Sequence, residues 1–350
     1  LTQAIATYTI QDGGKFIMLP WADGGHLDYY WESLGGGHLR EEEVMWILAE
    51  FAGLCEALEL LHAQNFRHND LKPENILWFK EENAPDNLKI SDFGLSTCHG
   101  IDKNTNVRAN LHTLTPPGTS RYKPPEENEH RKPAARSRYY DIWSMGCTMT
   151  ELMVWLIYGY DALREFQDGT SPYFWKELPE SPDSTNAFKL TDTITFIIES
   201  MMEHAHDCTA YVDILKLIRD NLLCVLYLAE YEYKTERPGY RINASSLHGE
   251  MKQICAKCEF EPNYLNCVGI GRAGKLPKRL AAASTEGGSL AVPKDGVGKR
   301  TRDPLPQGGL PHDEFANDRV VVRRPTGELD STTNRRVPKM SQMTAHDTQV

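Results

Sequence analysis

Four residues carry the densest chemical signal in the chain: Asp70, Lys72 and Asn75 within one short stretch, and Asp92 some twenty residues further on. They stand in Arg67-His68-Asn69-Asp70-Leu71-Lys72-Pro73-Glu74-Asn75-Ile76-Leu77 and in Ser91-Asp92-Phe93-Gly94. An Asp, a Lys two residues later and an Asn five residues later share a loop, and a hairpin can bring the second Asp beside them. Such a group can orient a hydroxyl nucleophile, neutralise a phosphate and hold a hard divalent cation through oxygen ligands. Phosphoryl transfer needs those parts, because its catalysis is mostly positioning and charge stabilisation.

The elements that must position these residues are legible as periodic patterns. Residues 4–11 and 15–19 read as two strands, and Gln11-Asp12-Gly13-Gly14 between them permits the positive φ of a hairpin turn. From Glu41 to His62, Val44, Ile47, Leu48, Phe51, Cys55, Leu58 and Leu61 recur at spacings of three and four, which predicts a core-facing helix. A second helix is expected after Asp141, apolar on most faces and therefore buried. Short strands are expected at Ile76–Phe79 and Leu88–Ile90, a long polar loop at Ser96–Pro117, and further helices at about 193–204 and 211–229.

Composition bounds the rest. The 350 residues include 7 Trp and 15 Tyr, enough for a substantial core. The net charge of −11 is unevenly spread: residues 268–350 hold 14 Lys+Arg against 9 Asp+Glu, leaving 24 against 40 for the acidic body. That balance argues against nucleic-acid binding. Eight scattered Cys with no leader-like start fit reduced thiols in an intracellular protein, cytoplasmic or nuclear. No apolar run approaches the 18 or so residues that span a bilayer, so no membrane role is expected. Past about residue 267 there is no Trp or Tyr, and Gly and Pro are frequent; this reads as a flexible tail.

In family order, these motifs resemble the eukaryotic protein kinases. To the two already quoted are added Gly118-Thr119-Ser120-Arg121-Tyr122-Lys123-Pro124-Pro125-Glu126, similar to the end of an activation segment, and Asp141-Ile142-Trp143-Ser144-Met145-Gly146, similar to the start of the central buried helix. Arg241-Ile242-Asn243-Ala244 resembles the late Arg motif whose guanidinium pairs with the Glu matched by Glu126. The resemblance covers roughly residues 4–255, and the wording of Leu19–Asp23 is similar to that of uncharacterised fungal kinase-like proteins.

The resemblance implies an α+β, protein-kinase-like fold. A remnant of the N-lobe with the hinge would occupy residues 1–28, a mostly helical C-lobe 29–262, and a Gly/Pro-rich basic tail 263–350. It implies a Ser/Thr kinase that uses ATP and Mg²⁺ and acts on a protein hydroxyl, since Lys72 and Thr119 match the Ser/Thr-specific group. Asp70 would orient the hydroxyl and Lys72 would contact the transferring phosphate, while Asn75 and Asp92 would hold Mg²⁺. Leu77 would lie under the adenine, Leu19 would be the gatekeeper, and Pro20 and Ala22 would offer a C=O and an N–H to the adenine edge. His68 and Phe93 would stack in a buried spine.

Two departures qualify the resemblance, and two further patterns stand beside it. Asn69 replaces the family's Arg and cannot make a charge-assisted contact to a phosphorylated loop residue, so activity is expected not to require phosphorylation of Thr113, Thr115 or Ser120. The resemblance begins in the family's fourth strand, so the Gly-rich loop, the third-strand Lys and the first-helix Glu have no counterpart, and a pseudokinase or scaffold is the alternative. Gly269–Lys275 mimics a phosphate loop but continues into Leu276, which cannot ligate Mg²⁺; it reads as a basic linker. Cys255, Cys258 and Cys267 lack a fourth zinc ligand at ordinary spacing.

Overall fold

The computed structural model describes residues 1–10, 13–35, 39–81, 84–98, 120–127, 138–178, 188–225, 240–266 and 275–277. In chain order these form β1 (Ala6–Thr9), β2 (Lys15–Met18), α1 (Leu27–Leu34), α2 (Glu41–Ala63), β3 (Phe66–Arg67), β4 (Ile76–Phe79), β5 (Asn87–Ile90) and β6 (Thr97–Cys98). Then follow α3 (Tyr139–Tyr158), α4 (Tyr160–Gly169), β7 (Trp175–Glu177), β8 (Phe188–Leu190), α5 (Asp192–His204), α6 (Thr209–Leu217) and α7 (Ala244–Phe260). The architecture is α+β. The strands make four two-stranded antiparallel sheets, β1–β2, β3–β6, β4–β5 and β7–β8, and the helices make the bulk of the body.

Helix α3 is the centre of that body. All twenty of its residues are buried, as its near-continuous apolar run requires. Its C-terminus is set by Gly159, whose φ of +86° turns the chain sharply into α4 while its N–H caps the Trp155 carbonyl. Helix α2 buries Val44, Ile47, Leu48, Phe51, Cys55 and Leu58 on the predicted stripe and packs along α7. Three Glu in its first turn complement the helix dipole.

The expected strands and helices are present with small shifts at their ends; of the loop expected at Ser96–Pro117, Thr97–Cys98 form β6 instead, paired with β3, and residues 99–117 lie outside the described residues. The stretch expected to be helical at 211–229 is α-helical only to Leu217, then winds wider as a π turn through Ile218–Leu222; residues 226–229 lie outside the described residues. Packing also continues past the expected boundary at 262, because Tyr264 and Leu265 are buried in the core and Tyr264 Oη donates to Asp213 Oδ2 at 2.8 Å. Leu276 is buried too, although composition assigned it to the tail. Residues 278–350, Gly269–Gly274, Cys267, Thr113, Thr115, Gly118 and Thr119 lie outside the described residues.

Late Arg241 holds the far side of the body. It is buried and forms a two-pronged pair with Glu126, Nη1 to Oε1 at 2.6 Å and Nη2 to Oε2 at 3.2 Å, as the resemblance implies. Its guanidinium also donates to the Tyr139 and Cys224 carbonyls and lies 4.9 Å from the Trp143 ring centroid. A buried charge satisfied on every side in this way clamps the chain after residue 120 to the start of α3.

Candidate active site

The loop Arg67–Asn75 leaves β3 and returns into β4, and its shape is imposed from beneath by Asp141 at the start of α3. The buried carboxylate of Asp141 accepts the backbone N–H groups of His68 at 2.9 Å and Asn69 at 2.8 Å, and the Nε2–H of His62 at 2.9 Å. Burial alone would raise this carboxyl's pKa; the hydrogen bond and charge of His62 and the neighbouring donors outweigh it and hold Asp141 below the usual carboxylate range. Asn69 takes a φ of +65°, a left-handed turn in the chain directly before Asp70.

Around Asp70 the sequence-predicted residues converge. Lys72 Nζ stands 3.0 Å from Asp70 Oδ2, with side chains 19% and 12% exposed. Asn75 Nδ2 donates to the Asp70 carbonyl at 2.7 Å and to the same Oδ2 at 3.0 Å. Both contacts fall on one carboxylate oxygen, and Oδ1 remains as an acceptor. Because the Asn75 amide spends its donor on Asp70, its Oδ1 is the end left to ligate.

Asp92 is brought to this loop by the β4–β5 hairpin, whose register pairs Ile76 with Ile90 and Leu77 with Lys89. Just past β5, Ser91 N–H and Oγ donate to the Asn75 carbonyl at 2.8 and 3.2 Å, so the residue before Asp92 is tied to the residue that precedes β4. His68 completes the tie: its Nε2–H donates to the Ser91 carbonyl at 2.8 Å, which leaves Nδ1 to accept the Asp70 N–H at 3.3 Å. Asp92 itself is left-handed at φ 60°, is exposed, and spends only Oδ1 on a local bond from Gly94 N–H.

The His68 and Phe93 rings meet at 5.1 Å, edge to face at 64°. His68 is buried as expected, whereas Phe93 is 37% exposed, so the contact is buried on the His68 side only and the expected buried spine is open at Phe93.

Leu19, Pro20 and Ala22, the residues expected at the adenine edge, lie on the segment that leaves β2. Gly24 N–H donates to the Trp78 carbonyl at 3.0 Å and Trp78 N–H donates to the Gly25 carbonyl at 2.8 Å, with His26 and Leu77 facing each other as an isolated bridge. This stitches Leu19–Ala22 to the strand that carries Leu77. A Cβ at Gly24 would collide with the Trp78 ring, so the close approach requires glycine there. Neither the Pro20 C=O nor the Ala22 N–H makes a hydrogen bond among the described residues, so one acceptor and one donor are available two residues apart. Sequence reasoning missed Gly24, Asp141's role as the loop's anchor, and the contacts of Asn69. The Gly24-Gly25 doublet was a readable signal; the others depend on tertiary partners far along the chain.

A second buried carboxylate, Glu151 on α3, lies behind the segment after residue 120. It receives Arg121 Nε at 2.6 Å and the Tyr122 hydroxyl at 2.9 Å. Burial pushes this carboxyl up, opposed by the Arg121 guanidinium.

The donor set suits a hard cation. Among the described residues no group of three or more His, Cys, Asp or Glu makes a self-contained metal site. Asn75 Oδ1 and the Asp92 carboxylate would supply two oxygens to such a cation, with phosphate and water left to complete its shell.

The model of the protein kinase domain matches residues 5–205, more than half of the chain. The chain belongs to the protein kinase domain family. It is similar to serine/threonine-protein kinase nekl-2 of Caenorhabditis elegans, 26% identical over 61% of this chain and 55% of the relative. It is also similar to human serine/threonine-protein kinase 16, 25% identical over 53% of this chain and 61% of the relative. To mitogen-activated protein kinase kinase 9 of Arabidopsis thaliana it is 35% identical over 41% of this chain and 40% of the relative. The chain spans roughly half the length of these curated relatives.

Proposed function

We propose that this chain carries the catalytic half of a protein serine/threonine kinase. The observation that carries the reading is the convergence on Asp70: Lys72 and Asn75 share its Oδ2, leave Oδ1 as an acceptor, and Ser91 ties Asp92 to the same loop. A scaffold that only binds partners has no chemical need for all four. Residues 1–28 would form the nucleotide-facing edge, and the body from residue 29 the substrate side.

Bound MgATP supplies the phosphoryl group and its charge screening. In this reading Asp70 Oδ1 takes the proton of a protein Ser or Thr hydroxyl and aims its oxygen. Lys72 Nζ neutralises charge on the transferring phosphate, and Asn75 Oδ1 with Asp92 holds the cation. Pro20 and Ala22 give the adenine edge its acceptor and donor, Leu77 its apolar floor, and Leu19 bounds the pocket behind it. The Pro at position 20 is compatible with this role, which uses its C=O alone.

Transfer of labelled γ-phosphate to a peptide library containing Ser, Thr and Tyr acceptors tests the proposal. Label on Ser and Thr, reduced roughly 10²–10⁴-fold by Asp70→Asn, is the expected result. Label on Tyr alone, or transfer indifferent to Asp70→Asn, would refute it.

A further inference from the structure

Asn69 has contacts that make more of it than a missing charge. It is buried, 2% exposed, and its Nδ2 donates to the Leu95 carbonyl at 2.9 Å and to Thr97 Oγ1 at 3.1 Å. Both acceptors stand on the segment that follows Asp92. A backbone carbonyl can only accept, so the amide is oriented with its nitrogen toward that segment. Its Oδ1 is buried with no hydrogen-bond partner among the described residues, so the side chain is held by its two donor bonds alone. The backbone of the same residue is fixed from the other side by Asp141 Oδ1 at 2.8 Å.

The two sides of Asp92 are therefore held differently. Ser91, before it, is bonded to Asn75 and His68; Leu95 and Thr97, after it, are bonded to Asn69. Ser96 Oγ adds one bond to the His68 carbonyl at 3.3 Å. Between these anchors Asp92 is exposed and left-handed at φ 60°.

We propose that Asn69 is a positioning residue: its amide clamps Leu95 and Thr97 so that Asp92 is presented to the cation beside Asn75. The inference rests on the kinase reading of the site. It requires an amide, since a carboxylate of the same shape would set a negative oxygen against the Leu95 carbonyl. It also accounts for an uncharged residue here, because the clamp is made by a neutral donor to neutral acceptors.

The test compares the parent chain with Asn69→Gly, which keeps the positive φ without steric cost but deletes the amide, and with Asn69→Asp and Thr97→Val. Amide hydrogen exchange reads the clamp, and calorimetric titration with ATP at several Mg²⁺ concentrations reads its consequence. The expected result is exchange at residues 93–97 faster by about tenfold in Asn69→Gly and Asn69→Asp, and less in Thr97→Val, as one or two hydrogen bonds are lost. The Mg²⁺ concentration that half-saturates ATP binding should rise by a similar factor, while α3 keeps its exchange protection. Unchanged exchange at 93–97, an unchanged Mg²⁺ requirement, or an equal loss of protection throughout α3 would each overturn the positioning role. If the parent chain bound no MgATP, the kinase reading would fall together with it. Binding by the parent that the variants matched would remove the positioning role alone.

Discussion

At the scale of single residues, the site works by dividing the two ends of each polar group between structure and chemistry. Asp70 gives Oδ2 to Lys72 and Asn75 and keeps Oδ1; Asn75 gives Nδ2 to Asp70 and keeps its oxygen. Lys72 has a double task in this arrangement, because the ammonium that would meet a phosphate also holds the Asp70 rotamer. Lys72→Met should therefore lower kcat by roughly 10²–10³-fold, the loss typical of removing one preorganised electrostatic donor. ATP affinity should change little, since the adenine edge and the cation ligands are untouched. Single-turnover rates set beside ATP titrations separate the two, and a variant whose defect lay wholly in ATP affinity would show that Lys72 acts in ground-state binding. The grouping of Asp70, Lys72, Asn75 and Asp92 was legible in the sequence because it rests on residue types and spacing alone. Asn69 was legible only as an absence of charge: its partners Leu95 and Thr97 are 26 and 28 positions away, and a spacing argument does not reach them.

At the scale of elements, the site depends on α3 and on hairpins too short to be stable alone. Strands β3 and β6 have two residues each, and β4 and β5 four, so the loops between them take their shape from Asp141 below. Asp141 is held below the usual carboxylate range in the folded chain, so its contribution is present above the unfolded value of about 3.9 and is lost as pH falls through its folded value. Urea unfolding followed from pH 7 down to pH 3 should show stability falling below about pH 4. In Asp141→Asn, which leaves buried donors facing an amide, stability at pH 7 should already be lower by about 3–5 kcal/mol. A variant as stable as the parent at pH 7 would show that the anchor is dispensable. Elements with a long apolar period, α2 and α3, were predictable from the sequence. The short helices α1 and α4 were not. Helix α4 follows α3 across the single residue Gly159, so its Ala162, Leu163 and Phe166 stripe merges with the apolar run before it. The turn to a π winding at Ile218 cannot be read from the spacing, because its buried residues Ile218 and Leu222 stand four apart, as they would on an α-helix.

At the scale of the whole molecule, a buried helical body carries a hairpin that is apolar and open. The β1–β2 pair stacks Tyr8 on Phe16, but Ile5 is 63% exposed and Tyr8, Ile17 and Met18 are about half exposed. The body has a continuous core running from Leu27 to Leu276, and the hairpin contributes none of its buried residues. Replacing Ile5 and Ile17 together by Lys should leave the unfolding free energy of the body, from urea titration, within about 0.5 kcal/mol of the parent, as for ordinary surface positions. A larger loss would mean that the hairpin is part of the cooperative unit. Among the described residues no helix is long and apolar enough to cross a membrane. The charge asymmetry and the helical character of the body could be read from composition and period. The packed stretch at Tyr264 and Leu265, and the isolated Leu276, could not, because a few apolar residues in a polar segment carry no period.

The measurement that bears most directly on the account separates cation holding from proton handling at the two carboxylates. MgATP binding and phosphoryl transfer to a Ser/Thr peptide would be measured side by side for the parent chain, Asp70→Asn and Asp92→Asn. The account predicts that Asp92→Asn loses both Mg²⁺-dependent ATP binding and transfer, whereas Asp70→Asn still binds MgATP and loses transfer by at least about 10²-fold. Transfer that survives in either variant, or ATP binding in the parent that is indifferent to Mg²⁺, would contradict the assignment of these residues and the function built on them.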